Sequence, residues 1–407
     1  MGSEMCIRDR YYLLQIYCSN FNVILILIIM EKYIVLLFIL MLSSCSMDRK
    51  VSDKVATILN VPVNSTKTYF KEHFNFESFV AIETTDSFLV SDIKKVVRSD
   101  DNILLLSGNR SVFLIDAHSG KVKVCIDKYG NGPGESKRII DIAFNEELGQ
   151  ILLYNDFYKL LFFDLKGDFL SEVKVDGMYE NITYRRGEVL FFNKLNGYSC
   201  CPYMLTIYDL KNKRWRTVGD RTKIDFPIRS RGLQMVNSKR VWFNAPLDYK
   251  LYCFEDDAPV AQYQLDISMA KLSDNLIKKS ISDPQTFFNE VSMGKIIYSL
   301  NSLRETERFL IFGSNQAGLF LLDKEENKLY VDEFFVDDIF YINSGDYYPH
   351  EGDDDSIMFL LTADRWINHP ELMLGLPTEW RNKANTLNIK EDDNPILFFF
   401  KEKNKLE

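Results

Sequence analysis

Residues 103–107 read ILLLS, and the same short design returns five times: ILLYND from Ile151, VLFFN from Val189, VWFN from Val241, FLIFG from Phe309 and IMFLL from Ile357. Each copy is an apolar run that follows a polar turn. After five of them comes a second run closed by an acidic residue: FLID at Asp116, FFDLKGD at Asp164, IYDLKNK at Asp209, YCFED at Asp256 and FLLDKEEN at Asp323. Short strands repeating at about 40–50 residues are the signature of propeller blades, each too small to bury its own faces without a neighbour. The repeat therefore predicts an all-β chain: a six-bladed β-propeller of four-stranded antiparallel blades.

Composition agrees. Of the 407 residues 46 % are hydrophobic and 14 % aromatic, and the 30 Phe and 21 Tyr suit pleated, half-buried surfaces. The net charge of -9 carries no long basic block, so no nucleic-acid partner is expected; separately, a monomer is expected. The basic group Lys211, Lys213, Arg214 and Arg216 falls in a hairpin turn and reads as a solvated face.

The N-terminal region separates from the repeat. Residues 1–29 show no globular pattern, and MGSEMCIRDR resembles translated adaptor sequence, so they read as a non-native extension before a start at Met30. Glu31-Lys32, then an apolar stretch over 33–42, predict a signal peptide over 30–44, too short to span a bilayer. The tetrapeptide Leu42-Ser43-Ser44-Cys45 resembles a lipobox, with Cys45 as the lipidated residue that ties the chain to a membrane. Residues 45–75 read as a polar tether, and 76–404 as the propeller. Cys125 and Cys253 lie in apolar runs and read as small core residues, Cys200-Cys201 sit in a loop, and no spacing suggests zinc.

Two stretches break the period. Residues 268–294 and about 370–386 have helical periodicity and read as insertions after blade four and inside blade six. Blade six then lacks a strand, while FVAIE at 79–83 lacks a blade. Pairing the two would close the ring and remove exposed sheet edges, so the N-terminal strand is predicted to complete the last blade.

YGNGPGE (129–135), VAIETTDSFLVSDIKKV (80–96) and DDNPILFFFK (392–401) together resemble the six-bladed β-propeller lipoproteins abundant in Bacteroidetes, over nearly all of the mature chain. The resemblance implies a lipid-anchored envelope protein of the outer membrane, periplasmic or surface-exposed, and no particular chemistry. Within the glycine segment, Gly130, Gly132 and Gly134 could offer N–H groups to an anion. No Lys-Ser/Thr follows, however, and Pro133 removes a donor. The segment reads as an inter-blade turn held by Glu135 accepting backbone N–H bonds.

In a propeller, the loops after the second and fourth strands emerge on one face. Asn155, Asp156, Asn193 and Asn244, both insertions and the glycine loop all fall there, and the second insertion adds Trp366, His369, Trp380 and Arg381. These are the predicted ligand-binding residues, on loops carried by a rigid scaffold. The favoured expectation is a non-catalytic module without a cofactor, binding a glycan, a peptide or a partner envelope protein. The alternative is a cation-dependent hydrolase or lactonase with calcium held by Glu83, Asn155, Asp156, Asn193 and Asn244, although Asn and Asp are also ordinary turn residues. Only four His occur, with no G-x-S-x-G or H-E-x-x-H, so no catalytic residue is assigned.

Overall fold

The computed structural model describes residues 56–61, 70–192, 203–220, 235–245, 247–267, 271–316, 318–332, 344–352 and 354–403. Cys45, Asn193, Cys200, Cys201 and the predicted signal peptide lie outside them. The strands are β1 (Thr57–Asn60) and β2 (Phe74–Ala81), which precede the repeats; β3 (Ile93–Arg98), β4 (Asn102–Ser107), β5 (Ser111–Asp116) and β6 (Val122–Ile126) in blade one; and β7 (Ile139–Asn145), β8 (Gln150–Asn155), β9 (Lys159–Asp164) and β10 (Phe169–Lys174) in blade two. Blade three holds β11 (Asn181–Arg185), β12 (Glu188–Phe192), β13 (Tyr203–Asp209) and β14 (Arg214–Asp220), and blade four β15 (Met235–Asn237), β16 (Val241–Phe243), β17 (Lys250–Glu255) and β18 (Ala258–Asp266). Blade five holds β19 (Leu300–Glu305), β20 (Phe309–Ser314), β21 (Leu319–Asp323) and β22 (Lys328–Asp332), and blade six β23 (Ser356–Leu361) and β24 (Ile396–Glu402). Every blade is antiparallel in its consecutive strands. The six-bladed propeller expected from the repeat is the observed fold.

Why the second strands dominate the sequence is now physical. β4 and β8 are buried at every position after the first, because a neighbouring blade covers each face. The fourth strand β10 lies at the rim, is mostly exposed, and has no such run. Six apolar clusters fill the six gaps between blades. Leu104, Ile142 and Phe163 join blades one and two, and Val80, Ile93, Met358 and Leu397 join blade six to blade one.

Closure runs through the N-terminal strand. β2 pairs antiparallel with β24, Phe79 opposite Phe398, and β24 pairs with β23, Phe359 opposite Phe398. The innermost position of blade six is irregular: after a 3₁₀ turn at Ser344–Asp346, Tyr347 bridges Phe359, and the Tyr348 N–H donates to Met358 O at 3.0 Å.

One segment departs from expectation. Residues 57–60, placed in the tether by sequence, form β1, which pairs parallel with the outer edge of blade four, Leu59 opposite Leu265. Leu59 enters the apolar cluster between blades four and five, which a stretch this short and polar does not advertise.

Both insertions are helical. α1 (Phe70–His73) precedes β2; α2 (Asp274–Ser282) and α3 (Pro284–Met293) follow blade four; α4 (Ala363–Asn368), α5 (Leu372–Gly375) and α6 (Thr378–Asn385) lie between β23 and β24. The Ser273 side chain caps α2 through the Leu276 N–H, and Asp283 caps α3 through the Thr286 N–H. Leu276, Phe287 and Val291 bury a small core of their own against Tyr298. Among the described residues no helix is long and apolar enough to cross a membrane.

Candidate functional site at the channel mouth

The first strand of each blade lines the central channel, and charged residues sit within these largely buried strands. Lys95, Asp141 and Arg304 are all but fully buried. Each follows a register shift in its ladder, between Ile93 and Lys95, Ile139 and Asp141, and Asn301 and Arg304. A bulge adds a residue to one strand and re-aims the side chains beyond it, here toward the charged groups of the facing blades.

These groups close the channel. Lys95 Nζ lies 3.2 Å from Asp141 Oδ2 and 3.0 Å from Glu351 Oε1, and donates to Ile182 O at 2.6 Å. The Ile182 N–H donates to Asp141 Oδ2 at 2.7 Å, and Thr183 Oγ1 donates to Glu351 Oε2 at 2.9 Å. The backbone of the same segment crosses the ring. The Glu351 N–H donates to Val96 O, the Arg98 N–H to Glu351 O, and the Gly352 N–H to Asn237 O in blade four. Gly352 has φ +148°, and a Cβ there would lie 2.5 Å from Arg98 O, so only glycine passes.

Two acids share one ammonium in this plug. Burial raises Glu351, and Lys95 opposes it, leaving the carboxyl pushed up to about 7. Burial also raises Asp141. Burial works against the Lys95 ammonium, but the two carboxylates outweigh it and it stays charged. A lone cation with two nearby carboxylates favours one retained proton.

Arg304 anchors the crossing segment. Its guanidinium donates to Ser356 O, His350 O, Gly352 O and Asp354 O, and pairs with the Asp354 carboxylate. Burial works against ionisation of Asp354, but His350, Arg304 and Arg98 prevail and hold it well below the usual carboxylate range. Burial and Arg304 lower His350 to about 4, so the ring is neutral near pH 7. Ser356, His350 and Asp354 are residue types of a hydrolytic triad without its relay. The Asp354 oxygens and Ser356 Oγ all face the same His350 nitrogen, Nε2, and Ser356 Oγ donates to Asp354. Among the described residues Nδ1 has no hydrogen-bond partner. A triad needs the acid on one ring nitrogen and the nucleophile on the other.

Beyond this floor opens a cavity of about 910 Å³, formed by the turns that follow the first strands. Its wall includes Asp100 of blade one, Glu146 and Glu147 of blade two, Arg185 and Arg186 of blade three, and Lys239 and Asp355 of blades four and six. Arg98 holds Glu77 at 3.1 Å across its rim, and Lys239 holds Asp355 at 2.8 Å. A second cavity of about 720 Å³ shares Arg185 and Arg186 and runs outward between blades three and four toward Arg240, Phe254 and Glu255.

The chain belongs to the family described as Domain of unknown function (DUF4934), which matches residues 56–401. No curated protein matches it. Among solved structures it is similar to a Bacteroides fragilis protein assigned as exported, at 16 % identity and TM-score 0.66, covering 86 % of this chain and 100 % of that one. It is also similar to a member of the DUF4221 family from Bacteroides vulgatus, at 10 % identity and TM-score 0.50, covering 81 % and 98 %. At these identities the likeness is one of fold.

In this DUF4934 propeller Asn155, Asp156 and Asn244 follow the second strands of their blades, at the end away from the cavity, and the structure does not gather the described site residues; Asn193 lies outside the described residues. Asn155 Oδ1 accepts from the Phe157 and Lys159 N–H groups, Asp156 Oδ1 from Arg138 N–H, and Asn244 Oδ1 from Leu300 N–H. Glu83 Oε2 accepts from Val122 N–H. Each oxygen thus serves its own loop or strand junction, and among the described residues no group of three or more His, Cys, Asp or Glu is placed to hold a metal ion.

The described side chains of the second insertion make contacts within the fold. Trp366 is buried against Phe79 and Phe398, and Trp380 packs edge-on to Phe76. Arg381 donates to the carbonyls of Met373, Leu374 and Leu376 at the end of α5, and His369 meets Glu371 at 3.0 Å. In the glycine loop, Glu135 Oε2 accepts the Gly132 N–H at 2.8 Å, and a Cβ on Gly130 would lie 1.9 Å from that oxygen. The loop already holds its own anion.

What the face away from the cavity does carry is apolar surface. Among the described residues, ten of the fifteen exposed large hydrophobics emerge there: Leu89, Tyr129, Phe157, Tyr158 and Met178 from loops, and Ile281, Phe288, Met293, Ile367 and Leu374 from the helices. The charged mouth escaped sequence reasoning because its residues are spread one or two per blade. The available signal was a charge interrupting an apolar first strand, as in IKKVVR and IIDIAFN.

Proposed function

We propose that this chain is a non-catalytic binding propeller of the cell envelope that takes its ligand at the charged mouth of the channel. The observation that carries the reading is the 910 Å³ cavity over a floor sealed by Lys95, Asp141 and Glu351. A concave, largely preformed site with a few convergent polar groups is the usual form of a ligand pocket. The ion pairs beneath it are committed to one another and give the cavity a fixed floor. The hydrolase alternative draws no comparable support, since its candidate oxygens each serve a separate loop. Export agrees with the apolar stretch before Cys45 and with the assignment of the Bacteroides fragilis neighbour. Lipid attachment at Cys45 would hold the propeller at the outer membrane, and Cys45→Ala should then leave the membrane fraction.

The test is a thermal-shift screen of the mature chain against peptides, oligosaccharide fragments and divalent cations. Arg186→Asn, which keeps the left-handed turn at φ +49°, should abolish the ligand-induced shift, while Asp156→Ala on the opposite face should retain it. The reverse pattern would move the site to the other face.

A further inference from the structure

The mouth is wide and carries both signs of charge in separate places. Asp100, Glu146 and Glu147 stand exposed on the turns of blades one and two. Among the described residues, neither Asp100 nor Glu146 has an ion-pair partner, and Glu147 faces only the Tyr184 hydroxyl. Across the opening, Arg186 occupies the tip of the tight turn between β11 and β12, at φ +49° beside Gly187 at φ +81°. It is exposed and likewise without an ion-pair partner among the described residues, and it stands on the ridge where the two cavities meet. By contrast, Arg98, Lys239, Arg216 and Arg240 are already held by acids. Among the described residues the unspent charges of the mouth are therefore an acidic wall on blades one and two, with exposed Lys401 of blade six also lining the first cavity, and across the opening the Arg186 guanidinium, with exposed Lys211 farther along the second cavity.

From this arrangement, and resting on the binding role proposed above, we infer that the ligand is an extended peptide bearing both charges. Its ammonium group lies against Asp100, Glu146 and Glu147, and its carboxylate on Arg186, with the chain continuing outward between blades three and four. Arg is suited to a carboxylate because its planar fork bonds both oxygens at once. Joined at Arg186, cavities of about 910 and 720 Å³ offer room for several residues rather than one. A neutral glycan fits less well. The aromatic side chains of the mouth, Phe144 and Tyr184, are half-buried or buried, whereas exposed Tyr129, Phe157, Tyr158 and Phe288 are on the other face. The mouth thus lacks, among the described residues, an exposed ring on which a sugar could stack.

The experiment uses the immobilised mature chain and a synthetic mixed-sequence oligopeptide pool with free termini, against the same pool acetylated and amidated and against neutral oligosaccharides. The free pool should be retained at least about tenfold better than the blocked one, a difference of roughly 1.4 kcal/mol. Arg186→Asn and the pair Glu146→Gln, Glu147→Gln should each abolish that preference, and rising salt should weaken it. These substitutions sit on exposed turn tips, so unchanged melting temperatures will show that the fold is intact. Equal retention of both pools would overturn the inference. So would retention of oligosaccharides alone, though if Arg186→Asn removed that retention the mouth would stand as the site. Retention unaffected by every mouth variant, or none of any probe, would overturn the site as well.

Discussion

The buried triad of Lys95, Asp141 and Glu351 makes the stability of this chain depend on pH in a direction opposite to its buried histidine. Glu351 keeps its proton to about 7 in the folded chain but releases it near the usual 4.5 when unfolded. Between those values the folded state binds more protons, so stability falls as pH rises through the window. His350 is held at about 4 against its usual 6.5. The unfolded chain therefore protonates first, and stability falls as pH drops from 6.5 toward 4. Glu351→Gln should remove the first effect: relative to wild type, the variant gains roughly 1–3 kcal/mol between pH 5 and pH 8, read from urea midpoints at each pH. A parallel pair of pH curves would refute the assignment. Lys95→Met leaves two acids buried without their cation and should cost about 3–5 kcal/mol, more at pH 8 than at pH 5. Residues of this kind are visible in the sequence as charges in apolar strands, but their partners are not. Lys95 and Glu351 are far apart in the chain, and only ring closure brings them to 3.0 Å.

At the level of elements, legibility followed burial on both faces. The second strands, covered by blades on each side, showed as unbroken apolar runs such as ILLLS. β1, with one buried leucine in four residues, did not show at all. The helical insertions were visible by periodicity, but the role of their side chains was not. Trp and Arg in a loop suggested a contact surface, whereas Trp366 fills the core of blade six and Arg381 caps α5. Trp366→Ala should accordingly lower stability by about 3–5 kcal/mol while leaving ligand retention at the mouth unchanged once the variant is folded. Chemical denaturation and the peptide-retention assay together check this, and loss of retention at full stability would return Trp366 to the ligand site.

For the whole molecule, the decisive event is closure by β2. A chain beginning after residue 81 lacks the strand that covers β24, exposing a long edge in an apolar blade. It should lose cooperative thermal unfolding and elute as aggregates from size exclusion, and a monomeric, cooperatively melting product would contradict the closure. Closure was foreseeable by counting strands, since blade six was short by one and FVAIE was unclaimed. The mouth was not foreseeable. By itself the sequence determined the number of blades, their order, the closing strand and the place of the insertions, because these follow from local periodicity and from the need to bury both faces of each sheet. Only the tertiary structure decided which face holds the cavity, which charges remain unspent and how the channel is sealed. Those properties arise between first strands that are neighbours in the ring and strangers in the chain, and no local pattern encodes a distance across a ring.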